Sequence, residues 1–131
     1  MYSILLVEDH TTFASVLVRL LGLTNNLQVA AVVKRAEAAL QELQTKSFDL
    51  VLVDVALPEM NGISLVGLIH DLYPDLPCLM LSGHTLGHYV NRALAAGARG
   101  YILKDDTLAI VEGIQHVLRG EIYVSKKLRR R

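Results

Sequence analysis

Three carboxylates, a hydroxyl and an ammonium in this chain share one kind of position: each follows a short apolar run. Glu8-Asp9 follow Ile4 to Val7, Asp54 follows Leu50 to Val53, Ser82 follows Cys78 to Leu81, and Lys104 follows Tyr101 to Leu103. Brought together, this set can hold a divalent cation and a phosphoryl group. Adjacent acids concentrate negative charge that is costly unless a cation or proton offsets it. Mg²⁺ suits them, because it takes one or two carboxylates together with phosphate oxygens and waters. Asp54 is then the candidate nucleophile, since an aspartate forms an acyl phosphate when a metal neutralises the entering group. Glu8 and Asp9 would hold the metal, with a backbone carbonyl just past Asp54, while Ser82 and Lys104 would bind phosphoryl oxygens. Taken singly, Lys104 reads as a surface ion pair and Ser82 as a helix cap; their joint placement favours the site.

The apolar runs are continuous rather than alternating, which suits strands of a parallel sheet covered on both faces. Between them the spacing is helical. Phe13, Val16, Leu17, Leu20 and Leu21 predict a helix from about 11 to 22, and Ala36, Ala39, Leu40 and Leu43 a second ending near Thr45. Ile63, Val66, Ile69, Leu72 and Tyr73 mark a third, stopped by Pro74, which disfavours helical geometry in the residue before it. Leu86, Val90, Ala93 and Leu94 mark a fourth ending at Gly97. Leu108, Ile110, Val111, Ile114, Val117 and Leu118 mark a fifth, with Asp106 or Thr107 available as its cap. With Val29 to Val33 as a second strand there are five βα units. The expected class is α/β, a doubly wound five-stranded parallel sheet, flavodoxin-like (βα)5, in strand order 2-1-3-4-5. That order sets Glu8-Asp9 beside Asp54. Pro58 to Gly62 reads as the loop after strand 3, with Gly62 expected at a positive backbone angle. His10 is expected to serve the loop or helix start rather than a metal, and His84 and His88 to be exposed polar residues.

A chain of 131 residues, 52% hydrophobic, fits one domain. No run approaches the ~18 apolar residues of a membrane span, and the first apolar run is too short for a signal-peptide core. A cytoplasmic protein without membrane contact is expected. Cys78, the lone cysteine, is expected as a buried free thiol. The net charge of zero is unevenly spread: five of the 13 basic residues lie in the last six positions, and residues 1 to 125 carry 8 basic against 13 acidic side chains, a net of −5. The expected division is a domain over 1–122 and a basic tail over 123–131, the start of a linker. No aromatic residues interleave that tail to suggest base stacking.

Leu5-Leu6-Val7-Glu8-Asp9-His10, Asp54-Val55-Ala56-Leu57-Pro58-Glu59-Met60-Asn61-Gly62, Leu81-Ser82-Gly83 and Ala96-Gly97-Ala98-Arg99-Gly100-Tyr101-Ile102-Leu103-Lys104-Asp105 together resemble the bacterial response-regulator receiver domain. The resemblance covers essentially the whole chain. It implies that Asp54 takes a phosphoryl group from a histidine kinase or phosphotransfer protein, using Mg²⁺ bound through Glu8, Asp9, Asp54 and the Ala56 carbonyl. Ser82 and Lys104 match the phosphate-sensing hydroxyl and lysine. Tyr101 matches the switch aromatic, expected to turn inward and remodel the surface of helix 4, strand 5 and helix 5. Gly100 to Val124 is similar to NarL/LuxR-type regulators, in which an acidic residue such as Asp105 stands where most other receivers have proline. Such proteins usually carry a C-terminal helix-turn-helix. DNA contact is therefore expected only through a domain not present in this chain, which is read as an excised receiver in preference to a stand-alone one, with a homodimer left open. Two departures stand out: Leu57 replaces a common methionine, and Ala56 places no long side chain over the site, which should alter phosphoryl lifetime. The expected protein is no enzyme beyond its own phosphorylation and dephosphorylation. One rival, a haloacid-dehalogenase-like phosphatase, usually needs a second acid where Ala56 stands. The other is a phosphate-independent pseudo-receiver that serves as an interaction module.

Overall fold

The computed structural model describes residues 1–83 and 87–129. The expectations for His84, Leu86, the His88 side chain, Arg130 and Arg131 lie outside the described residues. Among the described residues, strands and helices alternate as β1 (Tyr2–Val7), α1 (Thr11–Gly22), β2 (Leu27–Val33), α2 (Ala36–Thr45), β3 (Leu50–Asp54), α3 (Gly62–Leu72), β4 (Cys78–Ser82), α4 (Gly87–Ala96), β5 (Gly100–Leu103), α5 (Thr107–Leu118) and β6 (Tyr123–Val124), followed by a single 3-10 turn at Lys126–Leu128. No helix among them is long and apolar enough to cross a membrane.

Every neighbouring strand pair is parallel, in the order β2-β1-β3-β4-β5-β6. The expected order holds for the first five strands, but the sheet has six. The added strand satisfies backbone groups along the outer edge of β5. The Tyr123 N–H donates to the Arg99 carbonyl and the Ser125 N–H to that of Tyr101, each at 3.0 Å. The Ser125 hydroxyl accepts from the Leu103 N–H at 3.0 Å. Two residues are too few to show a strand period, which is why β6 leaves no signal in the sequence. The body also runs past the expected boundary at 122: Tyr123, Ser125 and Leu128 are buried, and Leu128 joins the core that contains Tyr101 and Leu103.

Successive strand side chains point to opposite faces, so the sheet feeds two cores. Ile4, Leu6, Leu52, Leu81 and Ile102 pack with Leu17 and Leu21 of α1 and Ile110 and Ile114 of α5. Leu5, Val7, Val53, Met80 and Tyr101 pack with Ala39 of α2, Val66 and Ile69 of α3 and Ala93 of α4. β3, β4 and β5 are buried throughout, and β1 from Ile4 onward. β2, at the edge, begins with buried Leu27 and then alternates exposed and half-buried positions. Its register with β1 shifts between Ile4 and Leu5, where Ala30 is passed over.

Side-chain caps begin the helices nearest the strand ends. Asn61 Oδ1 accepts from the Ile63 N–H at 2.7 Å, and Asp106 Oδ1 from that of Ala109 at 3.2 Å. Gly97 takes φ +115° just past α4, a backbone region that favours glycine. Cys78 is buried, and burial pushes its thiol up to about 12, leaving it inert at neutral pH.

Leu128, 4% exposed, and Leu23, 87% exposed, make a matched test of the C-terminal packing. Leu128→Ala should cost about 2 kcal/mol, toward the low end for a buried leucine, and Leu23→Ala less than about 0.5 kcal/mol. Urea midpoints of the two variants measure the difference.

Candidate functional site

Pairing register levels the strand ends. Val7 is opposite Val53, Asp54 opposite Leu81, and Ser82 opposite Leu103, so Glu8, Asp54, Ser82 and Lys104 emerge at one edge of the sheet. Backbone hydrogen bonds extend the ladder past these ends: Glu8 N–H to the Val33 carbonyl, Val55 N–H to Leu81, and Lys104 N–H to Ser82, each at 2.9 Å. Lys104 Nζ lies 2.7 Å from Glu8 Oε1 and 3.0 Å from Asp54 Oδ2. The other Asp54 oxygen, Oδ1, accepts from the Ala56 N–H at 3.1 Å. Glu8, Asp54 and Ser82 are buried.

Burial holds the Asp54 carboxyl above its ordinary range, and the neighbouring Glu8 carboxylate raises it further, against the lowering effect of Lys104. For Lys104, burial disfavours the charge, but Glu8 and Asp54 outweigh it and hold the ammonium above its usual value. One cation thus faces two buried anions, with Asp9 adjoining them. Ligand atoms of Glu8, Asp9, His10 and Asp54 lie within 4.8 Å of one another. Asp9 Oδ1 is shielded from solvent yet receives no hydrogen bond, the condition of an acceptor suited to a cation. The donor set therefore fits Mg²⁺.

The response regulator receiver domain family matches residues 4–124. The chain belongs to that family. Its relatives include the transcriptional regulatory protein DegU of Brevibacillus brevis, 31% identical over 126 residues, covering 95% of this chain and 53% of DegU. They also include the DNA-binding transcriptional activator DevR/DosR of Mycobacterium tuberculosis, 35% identical over 105 residues, covering 80% of this chain and 48% of that protein. The chain spans about half the length of these relatives. In structure, the receiver is similar to a LuxR-family two-component response regulator from an Aurantimonas species, with a TM-score of 0.95, 26% identity and coverage of 99% of this chain and 94% of that one. The relatives place this receiver among the LuxR/NarL-type regulators.

Within the receiver, the structure brings Glu8, Asp9, Asp54 and Lys104 together and sets Ser82 and Tyr101 beside them on β4 and β5. Burial raises the Tyr101 hydroxyl, with Ser82 partly offsetting it. The Tyr101 ring is fully buried. Gly62 departs from expectation: it is absent from the positive-φ glycines, Gly97 and Gly120, and begins α3. Its need for glycine comes from proximity, because a Cβ there would collide with the Asp54 carbonyl oxygen. The positive angle belongs instead to Glu59, at φ +69°, whose carboxylate pairs with Arg35. Phe13 was missed in the sequence, and His10 was weighed against a metal role there. Phe13, assigned only to the α1 core face, carries its ring 4.9 Å below Lys104 Nζ. His10, assigned to the loop, turns its imidazole toward Glu8 and Asp9. No one-dimensional spacing signals the Phe13 contact, whereas the adjacency of Glu8, Asp9 and His10 is plain in the sequence.

Gly62→Ala should destabilise the fold by about 1–3 kcal/mol through overpacking. Gly67→Ala, in open space on the same helix, should stabilise by up to about 1 kcal/mol; denaturant titration of both separates crowding from helix propensity. The raised Asp54 value means that the folded state keeps its proton to higher pH than the unfolded chain. This stabilising contribution is present at low pH and is lost as pH rises through the folded value. In chelator at pH 7, Asp54→Asn should therefore raise the melting temperature, and the gain should shrink on acidification; thermal melts across pH check both signs.

Proposed function

We propose that this domain is a phosphorylation switch in which Asp54 accepts a phosphoryl group from the phosphohistidine of a histidine kinase or phosphotransfer protein. The observation that carries this reading is the Lys104 ammonium, held at 3.0 Å from Asp54 and 2.7 Å from Glu8 at the level strand ends. An Asp54 oxygen attacks phosphorus, the P–N bond to the donor histidine breaks, and its electron pair stays on the imidazole. Lys104 compensates charge on the transferred group, and Ser82 contributes a hydroxyl to it. Glu8, Asp9, Asp54 and the Ala56 carbonyl would hold Mg²⁺, which neutralises the phosphoryl oxygens when bound.

Phosphorylation then works by differential stabilisation of one arrangement of α4, β5 and α5. Ser82 and Tyr101 are the reporters of that change. The names of DegU and DevR/DosR make transcriptional control the proposed output, acting through a DNA-binding domain joined by the basic linker that follows the receiver. Self-association of the receiver would provide a second route for the signal. On this reading, the protein catalyses nothing beyond its own phosphorylation and dephosphorylation.

Incubation with acetyl phosphate and Mg²⁺ should add one phosphoryl mass per chain, absent in Asp54→Asn and in chelator. Continuing hydrolysis of phosphate esters would indicate a phosphatase instead. Neither labelling nor stabilisation by Mg²⁺ with beryllofluoride would leave an interaction module.

A further inference from the structure

Resting on the reading of Glu8, Asp9 and Asp54 as a cation site, we propose that His10 Nδ1 is an additional ligand and that the site takes Mn²⁺ or another first-row transition ion in preference to Mg²⁺. Position and orientation support this assignment. His10 is the N-cap of α1, yet its side chain makes no capping hydrogen bond. Its backbone N–H instead donates to Glu8 Oε2 at 3.1 Å, closing a tight turn over the acids. That turn brings Nδ1 to 3.4 Å from Glu8 Oε2 and 3.6 Å from Asp9 Oδ1. Neighbouring ligand atoms around an ion with metal–ligand distances of about 2.1 Å stand roughly 3 Å apart, so a small ring movement completes the set.

The chemistry of the donors decides which ion benefits. An all-oxygen cluster suits Mg²⁺, a hard ion that dehydrates reluctantly. Adding an imidazole nitrogen favours first-row transition ions, whose affinity for nitrogen–oxygen sites rises along the series from Mn²⁺. Asp9 Oδ1 is solvent-shielded and without a hydrogen-bond donor, and Asp9 belongs to the same group of residues whose ligand atoms lie within 4.8 Å of one another. The His10 side chain is 68% exposed, which leaves the ring free to turn. An ion pair between protonated His10 and the acids is the competing use of the same geometry, and nitrogen coordination distinguishes the two.

Mn²⁺ added to the full chain and followed by pulsed electron paramagnetic resonance is the direct test. Wild type should show imidazole ¹⁴N coupling to Mn²⁺, and His10→Asn, which retains a good N-cap residue, should lose it. The Mn²⁺ dissociation constant should rise at least about tenfold in His10→Asn, comparable to losses seen for outer-shell partners of metal ligands. Mg²⁺ affinity, measured by competition, should change much less. If ¹⁴N coupling persists in His10→Asn, or if wild type binds Mn²⁺ without it, the role of His10 is overturned while the carboxylate site stands. If Asp9→Asn binds Mn²⁺ as tightly as wild type, the carboxylate site falls and the His10 assignment with it.

Discussion

An ammonium held between two buried carboxylates is the contact around which the rest of this receiver is organised. At an effective dielectric of about 20, unit charges about 4 Å apart interact by about 4 kcal/mol, so the attractions of Lys104 to Glu8 and to Asp54 are each comparable to the repulsion between those acids. Desolvation costs several kcal/mol per ion on top of that. The triad is therefore a poor device for stability and leaves uncompensated negative charge where Asp9 joins it. On the proposed reading its value lies in readiness, since an incoming cation or phosphoryl group would meet charges already positioned.

Holding those charges in place falls to the sheet and to a few close approaches. The parallel register sets Val7 opposite Val53 and Ser82 opposite Leu103, and the buried strand faces resist slippage because one residue of slip would exchange the two cores. Gly62 lets α3 begin against the Asp54 backbone, and Asn61 fixes its first turn. From α1, Phe13 offers its ring to Lys104, adding a contact to the cation that the acids share.

The C-terminal segment binds the far side of the same machinery. Ser125 accepts from Leu103, the residue before Lys104, and donates to the carbonyl of Tyr101. Arg129 donates to the Val124 carbonyl and stacks over Tyr123. The C-terminal segment is thus tied to β5 through β6 and held against the domain beyond it by buried Leu128.

The sequence by itself determined the repeating βα pattern, the order of the first five strands and the identity of the residues at their ends. Continuous apolar runs and 3.6-residue spacing are local signals that survive in one dimension, and Asp54 and Lys104 stand out because each follows such a run. The tertiary structure alone decided the rest. β6 is too short to carry a period and exists because β5 has an open edge. Gly62 is required by a backbone 8 residues earlier rather than by its own torsion. Phe13 acquires its partner, and Tyr101 its fully buried ring, only when separate elements pack. Distances between side chains depend on register and packing, and neither is written in the spacing of residues along the chain.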